Sequence, residues 1–152
     1  MITAIAAVLV FVAASDGDTL VVRDESTGDK TIIRLAEIDA PERTQPYSQV
    51  SRKNLEDLCR NKSIEIKATG IDRYKRTVAR VHCDGINVNW RQVEDGLAWC
   101  YPRYLKDPDA CLPRETAARE AKRALWREPG AQPPWDYRAE MRQKQKLDAT
   151  AR

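Results

Sequence analysis

The sequence is poor in the side chains on which many hydrolytic and metal sites depend. Its 152 residues include one histidine, His82, and one phenylalanine. A Ser-His-Asp or Cys-His catalytic site would have to use His82 alone, and a zinc site built from several histidines is excluded. Carboxylates and arginines, with or without a metal ion, are the groups left to carry any chemistry.

Cysteine is scarce as well, and its spacing is unlike that of a metal or redox motif. The four cysteines, at positions 59, 83, 100 and 111, form no C-x-x-C pair. An even number fits two disulfides in an oxidising compartment, for which four cysteines permit three pairings. Four buried thiols in a cytosolic protein are the alternative.

Long hydrophobic runs are missing. The apolar segment 1–14 is shorter than the roughly 20 residues that a membrane-spanning helix needs, so we expect no stable association with a membrane. Residues 8–12 are β-branched and aromatic, which is typical of a strand. The segment has no basic start, and we interpret residues 1–7 as the remnant of an export signal whose upstream portion is absent.

The chain is long enough for one domain with a hydrophobic core. Charged residues make up 32%, and 26 Lys and Arg against 23 Asp and Glu give a net charge of +3 at pH 7. Because both signs are abundant, this excess does not by itself indicate a nucleic-acid-binding protein.

Strand and helix patterns alternate along the chain. Apolar alternation and turn residues predict strands at 8–12, 20–23, 31–38, 63–69, 77–83 and 86–88. Helices are predicted at 48–60, at 90–95 with Asn89 as the cap, and from Pro113 to about residue 126. We interpret residues 138–152 as a polar C-terminal tail, frayed helix or disordered from 139 onward.

Three short stretches concentrate unusual polar residues. Residues 16–19, Asp-Gly-Asp-Thr, are by themselves typical of a hairpin turn. Residues 34–42 place Arg34 in an otherwise apolar strand, where a charge needs a partner or a ligand. Residues 72–76, Asp-Arg-Tyr-Lys-Arg, are by themselves a solvated basic loop.

Together the three stretches predict a metal and phosphate site, with a plain salt-bridge cluster as the alternative. The carboxylates of Asp18 and Asp39 suit Ca²⁺ better than zinc or copper. Arg34 and Arg76 are suited to the non-bridging oxygens of a phosphodiester. Glu42 would be free to position or deprotonate a water molecule.

Six blocks of sequence resemble the staphylococcal thermonuclease family. They are DGDT (16–19), IRLAEIDAPE (33–42), DRYKR (72–76), DGINVN (84–89), GLAWCY (96–101) and AREAKRALW (118–126). The resemblance implies a mainly β domain over residues 8–137, a five-stranded OB-fold barrel with three packed α-helices. It also implies a Ca²⁺-dependent endonuclease, a phosphodiesterase that hydrolyses DNA and RNA and leaves 3′-phosphates. Sequence specificity should be low, because the groups named address phosphate, sugar or a π-face.

The family's functional residues carry over to individual positions. Asp18 and Asp39 match the metal-binding carboxylates, and Ala40 stands where a backbone carbonyl is the third ligand. Arg34 and Arg76 match the catalytic arginines, and Glu42 matches the glutamate assigned to the attacking water. Arg73 and Tyr74 fall where the family contacts substrate phosphate or sugar, and Tyr101 or Tyr104 is expected to supply a further aromatic contact.

Lys75 departs from the family, which usually has glycine immediately before the catalytic arginine. If this position has a positive φ, a lysine there is strained by about 1 kcal/mol. The loop at 43–47 is also shorter than the family's loop often is, and neither departure removes a catalytic group.

Topology favours disulfides Cys59–Cys83 and Cys100–Cys111. Cys59 ends the first predicted helix and Cys83 ends a strand that should pair near the one after that helix, while Cys100 and Cys111 flank a short connection. Together with the weak Ca²⁺ affinity expected from so few ligands, the two disulfides favour a secreted or periplasmic location, and a cytoplasmic location is the alternative. We expect the protein to be a monomer.

Two alternatives to a nuclease remain open at this point. The same barrel could be a non-catalytic OB-fold module that binds single-stranded nucleic acid through its groove and Tyr74. The domain could also be purely structural, with the polar clusters serving as salt bridges.

Overall fold

The computed structural model describes residues 7–151. The expected remnant of an export signal at 1–7 therefore lies, apart from Ala7, outside the described residues. Within residues 7–151, no helix has the length and apolar character needed to cross a membrane.

The helices and strands follow one another in a mixed order. The first half contains β1 (Leu9–Asp16), β2 (Thr19–Asp24), β3 (Lys30–Leu35), β4 (Ile38–Asp39) and α1 (Ser48–Cys59). The second half contains β5 (Ile64–Ile71), β6 (Thr77–Cys83), β7 (Ile86–Asn87), α2 (Val88–Glu94), β8 (Trp99–Cys100), α3 (Pro108–Glu120) and α4 (Pro134–Thr150). Short 3₁₀ turns cover Pro102–Tyr104 and Ala124–Trp126.

The main sheet has the strand order β1-β2-β3-β6-β5, as in an OB fold. Strands β3 and β6 run parallel to each other. The pairs β1–β2, β2–β3 and β5–β6 are antiparallel, and the short β7 pairs antiparallel with the end of β6. The expected five-stranded, OB-type architecture is confirmed. Among the described residues β1 and β5 are not paired, so the sheet is not closed into a barrel by hydrogen bonds. Both edge strands carry bulges, which interrupt a regular pairing edge.

A second, two-stranded sheet positions the segment that contains Asp39. In it β4 pairs antiparallel with β8, so that Ile38 lies opposite Cys100 and Asp39 lies opposite Trp99. This pairing brings the end of the β3–β4 segment next to the aromatic segment that begins at Trp99.

Residues 7–151 contain four α-helices where three were expected. The first agrees with the prediction, but the cap of α2 is Asn87, whose side chain accepts a hydrogen bond from the Trp90 N–H. Asn89, the predicted cap, is fully buried. Its amide donates to the carbonyls of Ala36 and Ala79. By residue type Asn87 and Asn89 are equally good N-caps, and only the tertiary packing decides which of them caps the helix.

The third helix begins earlier and ends earlier than predicted. The Asp107 side chain caps it by accepting from the Ala110 N–H, and Pro108 occupies its first turn. Pro113 lies inside the helix, where it removes one backbone donor. Lys122 has a φ of 51°, which ends the helical run before Trp126.

Helix α4 extends through most of the segment interpreted as a tail. It spans Pro134–Thr150, with Pro134 in its first turn. The boundary expected between residues 137 and 138 therefore falls inside a continuous helix.

The hydrophobic core lies between the main sheet and helices α1 and α2. Its largest fully buried side chains include Leu20, Ile33, Leu35, Leu55 and Val81. Both expected disulfides are confirmed: Cys59–Cys83 joins α1 to β6, and Cys100–Cys111 joins β8 to α3. Disulfides persist in oxidising compartments, so they support a location outside the cytoplasm.

Candidate active site

A cleft of about 1240 Å³ opens beside the ends of β3, β4 and β5 and is bounded on one side by α4. Every site residue predicted from the sequence lines this cleft. These residues are Asp18, Arg34, Asp39, Ala40, Glu42, Arg73, Tyr74, Arg76, Tyr101 and Tyr104. The fold thus brings all ten residues together at one cleft.

Arg34 joins the two aspartates at the floor of the cleft. Its Nη2 lies 3.3 Å from Asp18 Oδ2 and 3.3 Å from Asp39 Oδ1. Its Nη1 donates to the backbone carbonyls of Leu35, at 2.6 Å, and Ile38, at 2.9 Å. The charged group in an apolar strand thus has its partners, and the guanidinium is held in one orientation.

Asp18 and Ala40 are in direct contact. The Ala40 N–H donates to Asp18 Oδ2 at 2.7 Å, and the Thr19 hydroxyl donates to Asp18 Oδ1 at 3.0 Å. Asp18, Ala40 and Asp39 are all buried. The β1–β2 turn and the segment after β4 are therefore tied together at the residues predicted to bind metal.

Asp16 also lines the cleft and accepts a hydrogen bond from the Asp18 N–H at 3.0 Å. Burial and the neighbouring charge of Asp18 raise the pKa of Asp16 to about 7. Burial also raises the pKa of Asp39 to about 6, against the hydrogen bond from Arg138, which lowers it. Burial is the largest cause of both shifts, and the nearby charge of Asp18 adds to each of them.

This donor chemistry fits a hard divalent cation. Carboxylate oxygens are the ligands that Ca²⁺ prefers. The described part of the chain has no cluster of three or more acidic, histidine or cysteine side chains arranged to hold a metal ion. A site here would therefore rest on Asp18 and Asp39 with a backbone carbonyl, the set of few ligands expected from the sequence.

Glu42 lies at the rim of the cluster and pairs with an arginine from α4. Arg138 Nη1 donates to Glu42 Oε1 at 2.7 Å, and Arg138 Nη2 donates to Asp39 Oδ2 at 2.7 Å. Burial opposes the charge on Arg138, but the hydrogen bonds from its guanidinium to Asp39 and Glu42 outweigh burial and raise its pKa. The Glu42 side chain keeps 39% of its surface exposed, so water can reach it.

Arg76 reaches the same cleft from the β5–β6 turn. Its Nε donates to Asp72 Oδ2 at 2.7 Å, so its direct partner is Asp72 and not Asp18 or Asp39. Arg73 and Arg76 both lie over the ring of Tyr74, at 4.8 and 5.3 Å from its centroid. Together these three residues form a basic and aromatic wall of the cleft.

The turn between β5 and β6 has the strained residue that the sequence predicted. Lys75 has a φ of 62°, in the left-handed region that favours glycine. Its backbone N–H donates to the Asp72 carbonyl at 3.0 Å, which closes the turn just before Arg76.

Aromatic side chains form the remaining wall. Tyr101 stacks on Trp135 of α4, with ring centroids 5.4 Å apart and planes 7° from parallel. Tyr104 meets Tyr101 edge to face, with centroids 5.0 Å apart, and keeps 55% of its surface exposed. Exposed aromatic rings beside arginines are suited to contacts with nucleotide bases.

Sequence reasoning missed two of the residues at this site. Asp16 lies in a quoted motif, but Asp-Gly is so typical of a turn that its side chain was not assigned a role. Arg138 lies in the segment interpreted as a tail. One feature of the sequence could have indicated a role for Arg138. Trp135 and Arg138 are three residues apart, which puts an aromatic ring and a guanidinium on one helical face.

Comparison with known proteins agrees with this geometry. A family model described as "Staphylococcal nuclease homologue" matches residues 32–128. A protein named "Uncharacterized endonuclease" from Haemophilus influenzae is 44% identical over 107 residues, which cover 70% of this chain and 59% of that protein. The chain thus spans less than two thirds of that relative's length.

Two further relatives are covered more fully. An "Uncharacterized endonuclease" from Escherichia coli O157:H7 is 39% identical over 125 residues, or 81% of this chain and 79% of that protein. A "Micrococcal nuclease" from Shigella flexneri is 36% identical over 134 residues, or 81% of this chain and 75% of that protein. These matches support a nuclease hydrolase. Since the family model covers well over half of the chain, the chain belongs to the staphylococcal nuclease homologue family.

Proposed function

We propose that this chain is a Ca²⁺-dependent endonuclease that hydrolyses DNA and RNA with little sequence preference and leaves 3′-phosphates. The observation that carries the proposal is the bridge from Arg34 to Asp18 and Asp39, with Glu42 and Arg76 on the same cleft. A purely structural salt-bridge cluster would not need an open cleft lined by a second arginine and exposed aromatic rings.

Asp18 and Asp39, with the backbone carbonyl of Ala40, would hold the Ca²⁺. When bound, the ion supplies Lewis-acid polarisation of a phosphate oxygen. Two carboxylates and one carbonyl are few ligands, so we expect a dissociation constant of roughly 10⁻⁴ to 10⁻³ M.

Glu42 orients the attacking water and accepts its proton as the water oxygen forms a bond to phosphorus. The bond between phosphorus and the 5′-oxygen breaks, the 5′-oxygen takes up a proton from solvent and leaves as a hydroxyl, and the phosphate stays on the 3′-oxygen. Arg34 and Arg76 bind the non-bridging oxygens, and their interaction strengthens as charge builds up there in the transition state. Each 1.4 kcal/mol or so by which the transition state is bound more tightly than the substrate raises the rate about tenfold.

Substrate contacts would come from the basic and aromatic walls. Arg73 and Tyr74 lie beside Arg76, and Tyr101 and Tyr104 line the same cleft. These groups address phosphate, sugar or the face of a base, which is why we propose little sequence preference.

We also propose that the protein acts as a monomer outside the cytoplasm, secreted or periplasmic. The two disulfides support an oxidising compartment. A weak Ca²⁺ site would be largely empty in a cytosol poor in free Ca²⁺ and filled outside the cell.

Digestion of plasmid DNA and of RNA across a Ca²⁺ titration tests this function, with wild type and Glu42→Gln compared. Wild type should cut both substrates with Ca²⁺ and stop on chelation, while Glu42→Gln should be slower by about 100-fold, as for a lost general base. Sensitivity of the product ends to a 3′-phosphatase identifies the products. Binding of single strands without Ca²⁺-dependent cutting would favour the non-catalytic module.

A further inference from the structure

Helix α4 brings a further guanidinium, that of Arg138, to the site. Arg138 spans Asp39 and Glu42, with one terminal nitrogen 2.7 Å from each carboxylate. Its second nitrogen also donates to the Tyr101 hydroxyl at 3.3 Å. The same arginine therefore touches the proposed metal ligand, the proposed group for the attacking water and one aromatic wall.

We propose that Arg138 is a positioning residue of the nuclease reaction, which holds the Glu42 carboxylate beside Asp39 so that Glu42 faces the attacking water. This inference rests on the proposed nuclease function. It assigns a role in the reaction to a helix outside the sequence blocks from which the site was predicted.

Glu42 needs such a partner because little else restrains its side chain. It lies in the turn after Pro41, and its side chain is 39% exposed. Among residues 7–151, Arg138 is the only side chain that forms an ion pair with it. An exposed glutamate without that partner would sample several rotamers, and holding it in one orientation lowers the entropic part of the barrier.

Arg138 is itself held in place by the packing of α4. Trp135, one turn earlier, stacks on Tyr101 and meets Trp99 edge to face. The Tyr137 and Thr44 hydroxyls are hydrogen-bonded, and the Gln45 amide donates to the Gln132 carbonyl at 2.9 Å. These contacts attach the helix to the segment that immediately follows Glu42.

The chemistry of arginine suits this role better than that of lysine. A planar guanidinium presents several donors in a fixed fork and can bridge two carboxylates, whereas an ammonium is a point charge on a flexible stem. Arg138→Lys therefore keeps the charge and loses the bridge.

Three variants test the inference: Arg138→Ala, Arg138→Lys and, as a matched control, Lys146→Ala. Lys146 lies on the same helix, outside the cleft-lining residues, so its loss removes one positive charge without touching Glu42. Steady-state kinetics with Ca²⁺ and a short oligonucleotide give kcat and KM separately, and far-ultraviolet circular dichroism with thermal unfolding reports folding.

We expect Arg138→Ala to lower kcat by about 100-fold, the scale of a misplaced catalytic group, with KM changed by less than about threefold. Arg138→Lys should recover only a small part of kcat, and Lys146→Ala should match wild type. Guanidinium ion at non-denaturing concentration should raise kcat of Arg138→Ala. It should not raise kcat of a variant that also carries Glu42→Gln.

Several results would overturn the inference. A raised KM with unchanged kcat would make Arg138 a phosphate contact, and a rise in activity would make it an inhibitory one. Wild-type kcat in Arg138→Lys would show that the bridge is not needed, even if Arg138→Ala did not fold. An inactive wild type would overturn the nuclease function itself, whereas active wild type with unaffected Arg138 variants would overturn this inference alone.

Discussion

Arg34 Nη2 lies 3.3 Å from Asp18 Oδ2, and the same nitrogen lies 3.3 Å from Asp39 Oδ1. One donor atom thus connects the start of β2 with the end of β4. All three side chains are at least 85% buried. Removing the Arg34 guanidinium would therefore leave the carboxylates of Asp18 and Asp39 without the partner that they share.

Replacement of Arg34 by alanine should cost both activity and stability. Loss of one member of a buried ion pair destabilises by about 3 kcal/mol, and loss of a transition-state donor lowers kcat by about 10³-fold. Urea unfolding and kinetics on the same preparation measure the two effects. A folded Arg34→Ala with lower stability and unchanged kcat would support the purely structural interpretation.

Asp72→Asn should destabilise the protein at neutral pH and less so in acid. Burial raises the pKa of Asp72, but hydrogen bonds from the Arg76 N–H and guanidinium outweigh burial, so its pKa is below its usual value. A lowered folded-state pKa means that the stabilisation is present above the unfolded pKa and is lost as pH falls below it. We expect a cost of about 1 kcal/mol at pH 7 that shrinks below about pH 4.

Asp57→Asn is the control for that experiment. Asp57 also pairs with a cation four residues away, Lys53, but its side chain is 61% exposed. Its removal should cost only about 0.3 kcal/mol, and equal losses for the two variants would contradict a specific role for the Asp72–Arg76 pair.

Lys75→Gly should stabilise the protein. Lys75 has a φ of 62°, and glycine accepts this conformation without the steric cost that a Cβ imposes, which is worth about 1 kcal/mol. Lys75→Ala removes the same charge and keeps the Cβ, so it should show no gain. Thermal unfolding of both variants is the measurement, and equal shifts would point to charge instead of backbone strain.

The two disulfides should contribute alike to stability and differently to activity. Removing either by paired Cys→Ser changes should cost about 3 kcal/mol, somewhat more for Cys59–Cys83, which closes the longer loop. Loss of Cys100–Cys111 should also lower kcat, because β8 pairs with the strand that carries Asp39. Urea unfolding measures the effect of each disulfide on stability, and steady-state kinetics measures its effect on kcat. The intact mass with and without reductant verifies that the disulfides are formed. Equal kcat in both variants would contradict a role for β8 in placing Asp39.

The local sequence pattern predicted secondary structure correctly where one type of residue decides the backbone conformation. Alternation predicted β5, and Asp84-Gly85 predicted the turn between β6 and β7. It was unreliable where two residues of one type compete, as with Asn87 and Asn89. It also failed at Pro113, which is tolerated inside α3 because the helix has a stronger start at Asp107 and Pro108.

The sequence by itself determined the chemistry available at the site: the two buried aspartates, the glutamate and the arginines, since residue type and order are local properties. Only the tertiary structure decided which arginine meets which carboxylate. Arg76 pairs with Asp72, while Arg138 reaches Glu42 across 96 residues of chain. The Trp135 to Arg138 spacing marks one face of a helix, but it does not say which carboxylate that face meets. That depends on how α4 packs against Tyr101 through Trp135, and packing is settled by the whole fold at once.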